Sequence, residues 1–124
     1  MDAARYTELC GFCRGYDRAK KRAAELEREQ LPGREGEKAR RELEGLRQDA
    51  AMIDRCAREA SGGGWTAALI LNACRDVPYE AMGARGVLLP TNDEARWRRA
   101  REDFFRRLHF AKRARDWGDG HVDL

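Results

Sequence analysis

Four cysteines, two histidines and a dense run of arginines are the residues of this 124-residue chain that could carry chemistry. Cys10-Gly-Phe-Cys13 has the two-residue spacing shared by zinc ligands and redox dithiols. If the chain doubles back at Pro32-Gly33, residues equidistant from that turn face each other. Cys56 then comes beside Cys10 and Cys13, with Cys74 available as a fourth thiol. A zinc knuckle presents its thiols from a turn, however, and here an apolar heptad pattern runs straight through both cysteines. Packing thiols are therefore the leading reading, with a metal site and an oxidisable pair as the alternatives. His109 and His121 have no nucleophile to serve, and Asp119, His121 and Asp123 would hold a metal only weakly on a flexible tail. No Ser/His/Asp order, paired catalytic carboxylates or dinucleotide glycine pattern is present, so neither catalysis nor a resident cofactor or metal is expected.

The arginines concentrate at one place. Thr91–Trp117 holds nine Lys/Arg against five Asp/Glu, whereas residues 1–60 hold 14 against 13, so the formal net charge of +3 is a local excess. At 100° per residue, Trp97, Ala100, Phe104, Leu108 and Ala111 form one apolar stripe on a long helix, and Arg99, Arg106 and Arg113 point the opposite way. Such a helix can bury one side and read nucleic acid with the other. Asn92, Arg96, Arg98, Arg99, Arg106 and Arg113 are the candidate contacts to double-stranded DNA, with Asn92 and Arg96 at the start of the helix. Phe110 and Trp117 lie one heptad apart on the arginine side. Either the remainder of the chain covers them or they form an interface with a partner.

The rest of the chain reads as the frame for this helix, and the expected fold is all-α. Leu9, Phe12, Tyr16, Ala19, Ala23 and Leu26 form one heptad seam. Ala39, Leu43, Leu46, Ala50, Ile53, Ala57 and Ala60 form a second, and Leu31-Pro-Gly-Arg-Glu-Gly36 breaks the helix between them. Residues 1–60 are thus predicted to be an antiparallel, coiled-coil-like helical hairpin. Its alternating outer charges, Lys20 to Glu29, make a solvated face. Alanine-rich seams bury little area per turn, so the hairpin needs a further surface, either the C-terminal part or a second copy of the chain in a homodimer.

Residues 61–64, Ser-Gly-Gly-Gly, are predicted to be a hinge in which the chain turns freely. They lack the preceding strand and following Lys-Ser/Thr of a nucleotide-binding phosphate loop. Residues 65–117 are predicted to be a compact, three-helix, helix-turn-helix-like unit. Its members are a buried helix from Trp65 to Cys74, one or two helical turns with Pro78 at their first position, and the long basic helix. The latter would be capped by Thr91 with Glu94 and stopped by Gly118. Residues 118–124 are expected to be a flexible tail. The N-terminus lacks an apolar signal region and no stretch approaches the roughly 20 apolar residues of a membrane span, so a soluble, cytoplasmic protein with reduced thiols is expected.

Ile70-Leu-Asn-Ala-Cys-Arg-Asp-Val-Pro-Tyr-Glu-Ala-Met82, Leu89-Pro90, Trp97, Phe104-Phe105 and Leu108 together resemble a group of small proteins from Firmicutes phages and prophages. That group is similar in turn to phage late-gene transcription regulators with a C-terminal helix-turn-helix like sigma-factor region four. The likeness covers about residues 65–115; Thr91 stands where the group tends to have cysteine, and Gly83–Leu88 is additional. It implies a DNA-binding regulator of phage or prophage transcription. The alternative expectation is a protein-binding module, such as a small phage-encoded inhibitor of a host enzyme or defence complex.

Overall fold

A computed structural model describes residues 2–120, side chains of 118–120 excepted, and within these the protein is all-α. Five α-helices follow in order: α1 (Ala3–Arg14), α2 (Tyr16–Arg28), α3 (Gly33–Glu59), α4 (Thr66–Arg75) and α5 (Glu94–Gly120). The first seam is divided between α1 and α2, because the chain kinks at Gly15, whose N–H turns back to the Phe12 carbonyl at 3.2 Å. Helices α2 and α3 pack against each other as the antiparallel pair that the seams predict. Ion pairs lace the pair on its solvent side, Arg22 to Glu42 at 3.0 Å and Arg47 to Glu27.

The interhelical turn is shorter than the sequence pattern indicates. Residues 29–32 alone lie outside the helices, and Gly36 belongs to the first turn of α3. Burial of the second seam also falls off toward this turn, although Ala23 and Leu26 of the first stay buried there. Leu9, Ile53 and Ala57 are at most 1% exposed, whereas Ala39, Leu43, Leu46 and Ala50 are only half-buried, because a third layer covers only the other end. That layer is α5, whose apolar stripe of Trp97, Ala100, Phe104 and Leu108 lies in one buried cluster with Leu9, Cys13, Ile53, Cys56 and Leu69. The hairpin thus receives the further surface it requires from its own C-terminal half.

Helix α4 packs on α1 and α3, and α5 packs chiefly on α3. Between α4 and α5 the structure departs from the expected three-helix unit. The segment after Pro78 forms two successive 3-10 turns, Tyr79–Ala81 and Gly83–Arg85, with Pro78 capping the first instead of opening an α-helix. Glycines at both ends of the second turn, and a left-handed backbone at Gly86, leave no room for a longer helix. Asp76 ends α4, also in the left-handed region, and the Asn72 side-chain amide donates to the Val77 carbonyl at 3.0 Å.

The start and end of α5 also differ from expectation. Its cap is Asp93, whose carboxylate accepts the Ala95 N–H at 2.9 Å; Thr91 accepts the Asp93 N–H at 3.2 Å and so supports the cap instead of forming it. Gly118 does not stop the helix, which continues to Gly120. Residues 121–124, with His121 and Asp123 of the weak metal set, lie outside the described residues. Among the described residues no helix is long and apolar enough to cross a membrane.

Candidate nucleic-acid interface

Two classes of cation emerge on α5. Arg101, Arg107, Lys112 and Arg115 hold the helix to the frame. Arg101 donates from Nε to the Asn72 side chain of α4 at 2.7 Å and from Nη2 to the Tyr6 hydroxyl of α1 at 2.5 Å, its guanidinium 4.9 Å from the centre of the Phe105 ring. Arg107 lies 3.6 Å from Glu59, Lys112 lies 3.7 Å from Glu8, and Arg115 pairs with Asp49.

The candidate DNA contacts form the other class, and all six are exposed. Three have a carboxylate on their own helix or cap: Arg96 is 3.9 Å from Asp93, Arg98 is 3.5 Å from Glu94, and Arg106 is 2.5 Å from Asp103. The Asp93 and Glu94 pairs are exposed and worth about 0–1 kcal/mol each, so a phosphate can displace them, whereas Asp103 is 13% exposed and holds Arg106 more firmly. Arg99 and Arg113 form no ion pair among the described residues. They stand fourteen residues apart on the face opposite the core, about 21 Å along the helix, with Arg106 midway. Asn92 is exposed just before the helix, and its carbonyl accepts the Tyr79 hydroxyl at 3.2 Å.

Phe110 and Trp117 share this face at 59% and 58% exposure, so the hairpin does not cover them. Phe110 borders a cleft of about 480 Å³ formed with Tyr6, Arg101, Glu102, Phe105, Arg106 and His109. Trp117 borders another, of about 450 Å³, with Asp2, Arg5, His109, Arg113 and Asp116. His109 accepts the Arg5 Nε–H on Nδ1 at 2.8 Å; burial, then the charges of Arg5 and Arg113, lower its pKa, so it adds no cation at neutral pH.

No relative identifies the face. No family model, no curated protein and no solved structure matches the chain.

Asp103 is a residue whose role sequence reasoning missed. Its carboxylate accepts the Ser61 backbone N–H at 2.7 Å and meets Arg106 at 2.5 Å and Arg107 at 2.9 Å. The Ser61 bond ties the start of the glycine run to α5. Ser61, Gly62, Gly63 and Gly64 all have positive φ, and the turn they make is fastened to the middle of α5. The partners of Asp103 at i+3 and i+4 were visible in the sequence, but its partner 42 residues earlier was not. Burial pushes this carboxyl up, but the Ser61 N–H and the Arg107 and Arg106 guanidiniums outweigh it and hold it down to about 2. A depressed carboxylate pKa stabilises the fold above its unfolded value near 4, and the contribution is lost as pH falls toward 2. Asp103→Asn is therefore expected to remove about 2 kcal/mol at neutral pH and to flatten the stability profile between about pH 4 and pH 2, measured by urea titration.

Cys13 on α1 and Cys74 on α4 lie in the same buried cluster; the neighbouring Cys74 thiol and burial push the Cys13 thiol pKa upward, and burial likewise raises that of Cys56. All four thiols are free, and Cys13, Cys56 and Cys74 are buried. Among the described residues no three His, Cys, Asp or Glu side chains group as metal ligands.

Proposed function

We propose that the outer face of α5 binds double-stranded DNA and that the protein acts as a transcription regulator of phage or prophage type. The observation that carries this reading is the alignment of Arg99, Arg106 and Arg113 opposite the buried stripe, with Arg99 and Arg113 unpaired among the described residues. Guanidiniums spaced over about 21 Å of exposed helix suit the phosphates flanking a major groove about 12 Å wide. Arg96, Arg98 and Asn92 extend the contact at the start of the helix. In place of a second helix-turn-helix α-helix, the two 3-10 turns set the start of α5. The orientation of the helix on DNA then depends on its packing against α3. A homodimer would present two such faces to half-sites about one helical turn apart.

The test is binding to a labelled random-sequence duplex at low salt and near physiological salt. Micromolar binding that falls steeply with salt is expected, and Arg99→Ala and Arg113→Ala should each reduce the slope of log affinity against log salt by about one unit. Absence of binding at low salt would overturn the reading. The exposure of Phe110 favours a second one, a protein-binding module such as a phage-encoded inhibitor of a host enzyme or defence complex. In that case Phe110→Ala abolishes partner capture and the arginine substitutions act only weakly.

A further inference from the structure

At the start of α5, Arg96 and Arg99 close a cleft of about 360 Å³ against the glycine turn, with Ser61, Gly63, Trp65, Pro90 and Thr91 as the remaining lining. Its charge sets it apart from four other clefts. The two beside Phe110 and Trp117 include Glu102, and Asp2 with Asp116, respectively. One along the α1/α2 seam includes Glu42 and Asp49, and one at the interhelical turn includes Glu27 and Glu29. The cleft at Arg99 has two guanidiniums and no carboxylate.

Why Arg99 is left without a partner is visible in the structure. Asp103, one turn further along α5, is already engaged by Ser61, Arg106 and Arg107. Asp93 accepts the Ala95 N–H at 2.9 Å and stands 3.9 Å from Arg96, leaving that side chain loosely held. Both walls are nevertheless fixed. The Ser61 N–H bond to Asp103 anchors one side, and Pro90 lies so close to Gly64 that a Cβ there would come within 3.0 Å of its ring. The floor is rigid as well, since Trp65 is 5% exposed with its ring 5.9 Å from that of Trp97. Two guanidiniums with hydroxyls beside them, Arg99 without a carboxylate partner among the described residues and Arg96 held only by Asp93 at 3.9 Å, are suited to a tetrahedral oxyanion, because charge-assisted bonds from arginine to phosphate are stronger than an exposed ion pair.

We propose that this cleft is a phosphate-binding site that receives one backbone phosphate of the duplex, fixing the register of α5 on DNA. The source of the phosphate rests on the DNA-binding reading above; the affinity of the cleft for the anion does not. In such a contact Arg99 and Arg96 would donate to the phosphate oxygens, while bases are read further along the helix.

Two arms test the site on the full chain. Backbone amide and arginine Nε–H NMR spectra are recorded while inorganic phosphate is added, against chloride at matched ionic strength. Saturable shifts confined to residues 61–65 and to Arg96 and Arg99, absent in the Arg96→Gln/Arg99→Gln double variant but kept in Arg113→Gln, are expected. Shifts that follow ionic strength alone, or that are unchanged in the double variant, overturn the site. In the second arm the same variants bind duplex DNA. A salt slope about one unit lower for Arg96→Gln alone assigns the bound phosphate to DNA. If DNA binds with an unchanged slope in Arg96→Gln, the register role is wrong although DNA binding stands. If no duplex binds while inorganic phosphate still saturates the cleft, the site stands, and it is the DNA-binding reading that fails.

Discussion

Phe104→Ala is expected to destabilise the protein by about 3–5 kcal/mol, which is much of the stability of a small domain. Phe104 is fully buried, its ring 5.0 Å from that of Phe105, in the cluster that joins α5 to α1, α3 and α4. Removing it leaves a cavity that the α1–α3 side and the C-terminal side share, so both should lose stability together. Urea unfolding followed by tryptophan fluorescence and by far-UV circular dichroism distinguishes this from independent melting. Trp65, Trp97 and Trp117 all follow the glycine run, whereas helix signal comes largely from α1 to α3. Coincident curves, shifted to lower urea in the variant, are the expected result. A circular-dichroism transition left in place while fluorescence shifts would show that the hairpin does not depend on this core.

Gly36→Ala is the second large effect, expected to lower stability by about 3 kcal/mol despite alanine's better helix propensity. A Cβ at Gly36 would stand 2.0 Å from the Leu31 carbonyl oxygen and 3.0 Å from its carbonyl carbon. Neither atom can swing aside as a side chain would, so the turn between α2 and α3 must be rebuilt. Gly45, in the same helix, has nothing within 4 Å of its Cβ position. Gly45→Ala should therefore raise stability by about 0.5–1 kcal/mol, and thermal unfolding of the two variants should move in opposite directions. Equal shifts of the same sign would contradict the close approach at Leu31.

Gly36 also shows where pattern reading stops. Two glycines and a proline within six residues mark a helix break, and a break occurs there, but Gly36 serves a backbone contact inside the helix. Heptad spacing placed the α2/α3 pair and the buried stripe of α5 because those depend on a period that the sequence carries openly. Thr91 was misread as the cap because Asp93, two residues later, offers a competing acceptor; local pattern does not rank the two. After Pro78 the expected helical turn forms as a 3-10 turn, and a second, Gly83–Arg85, ends at Gly86, whose left-handed backbone angle composition does not display. In the candidate interface, helical geometry separated the outward arginines from the apolar stripe. That Ser61 fastens to Asp103, and so engages the carboxylate one turn from Arg99, depends on a contact between distant parts of the chain.

The placement of α1 has a consequence for how the chain is made. Tyr6 meets Arg101, and Arg5 meets His109, 95 and 104 residues later, so the first helix is completed by the last. Helices α2 and α3 can pair as soon as residue 59 has been synthesised, a local and fast event. Leu9 and Cys13, however, belong to a buried cluster completed by α4 and α5, whose residues are made later. Until then the nascent chain presents an apolar surface that α4 and α5 close together, which is where chaperones act and where aggregation begins.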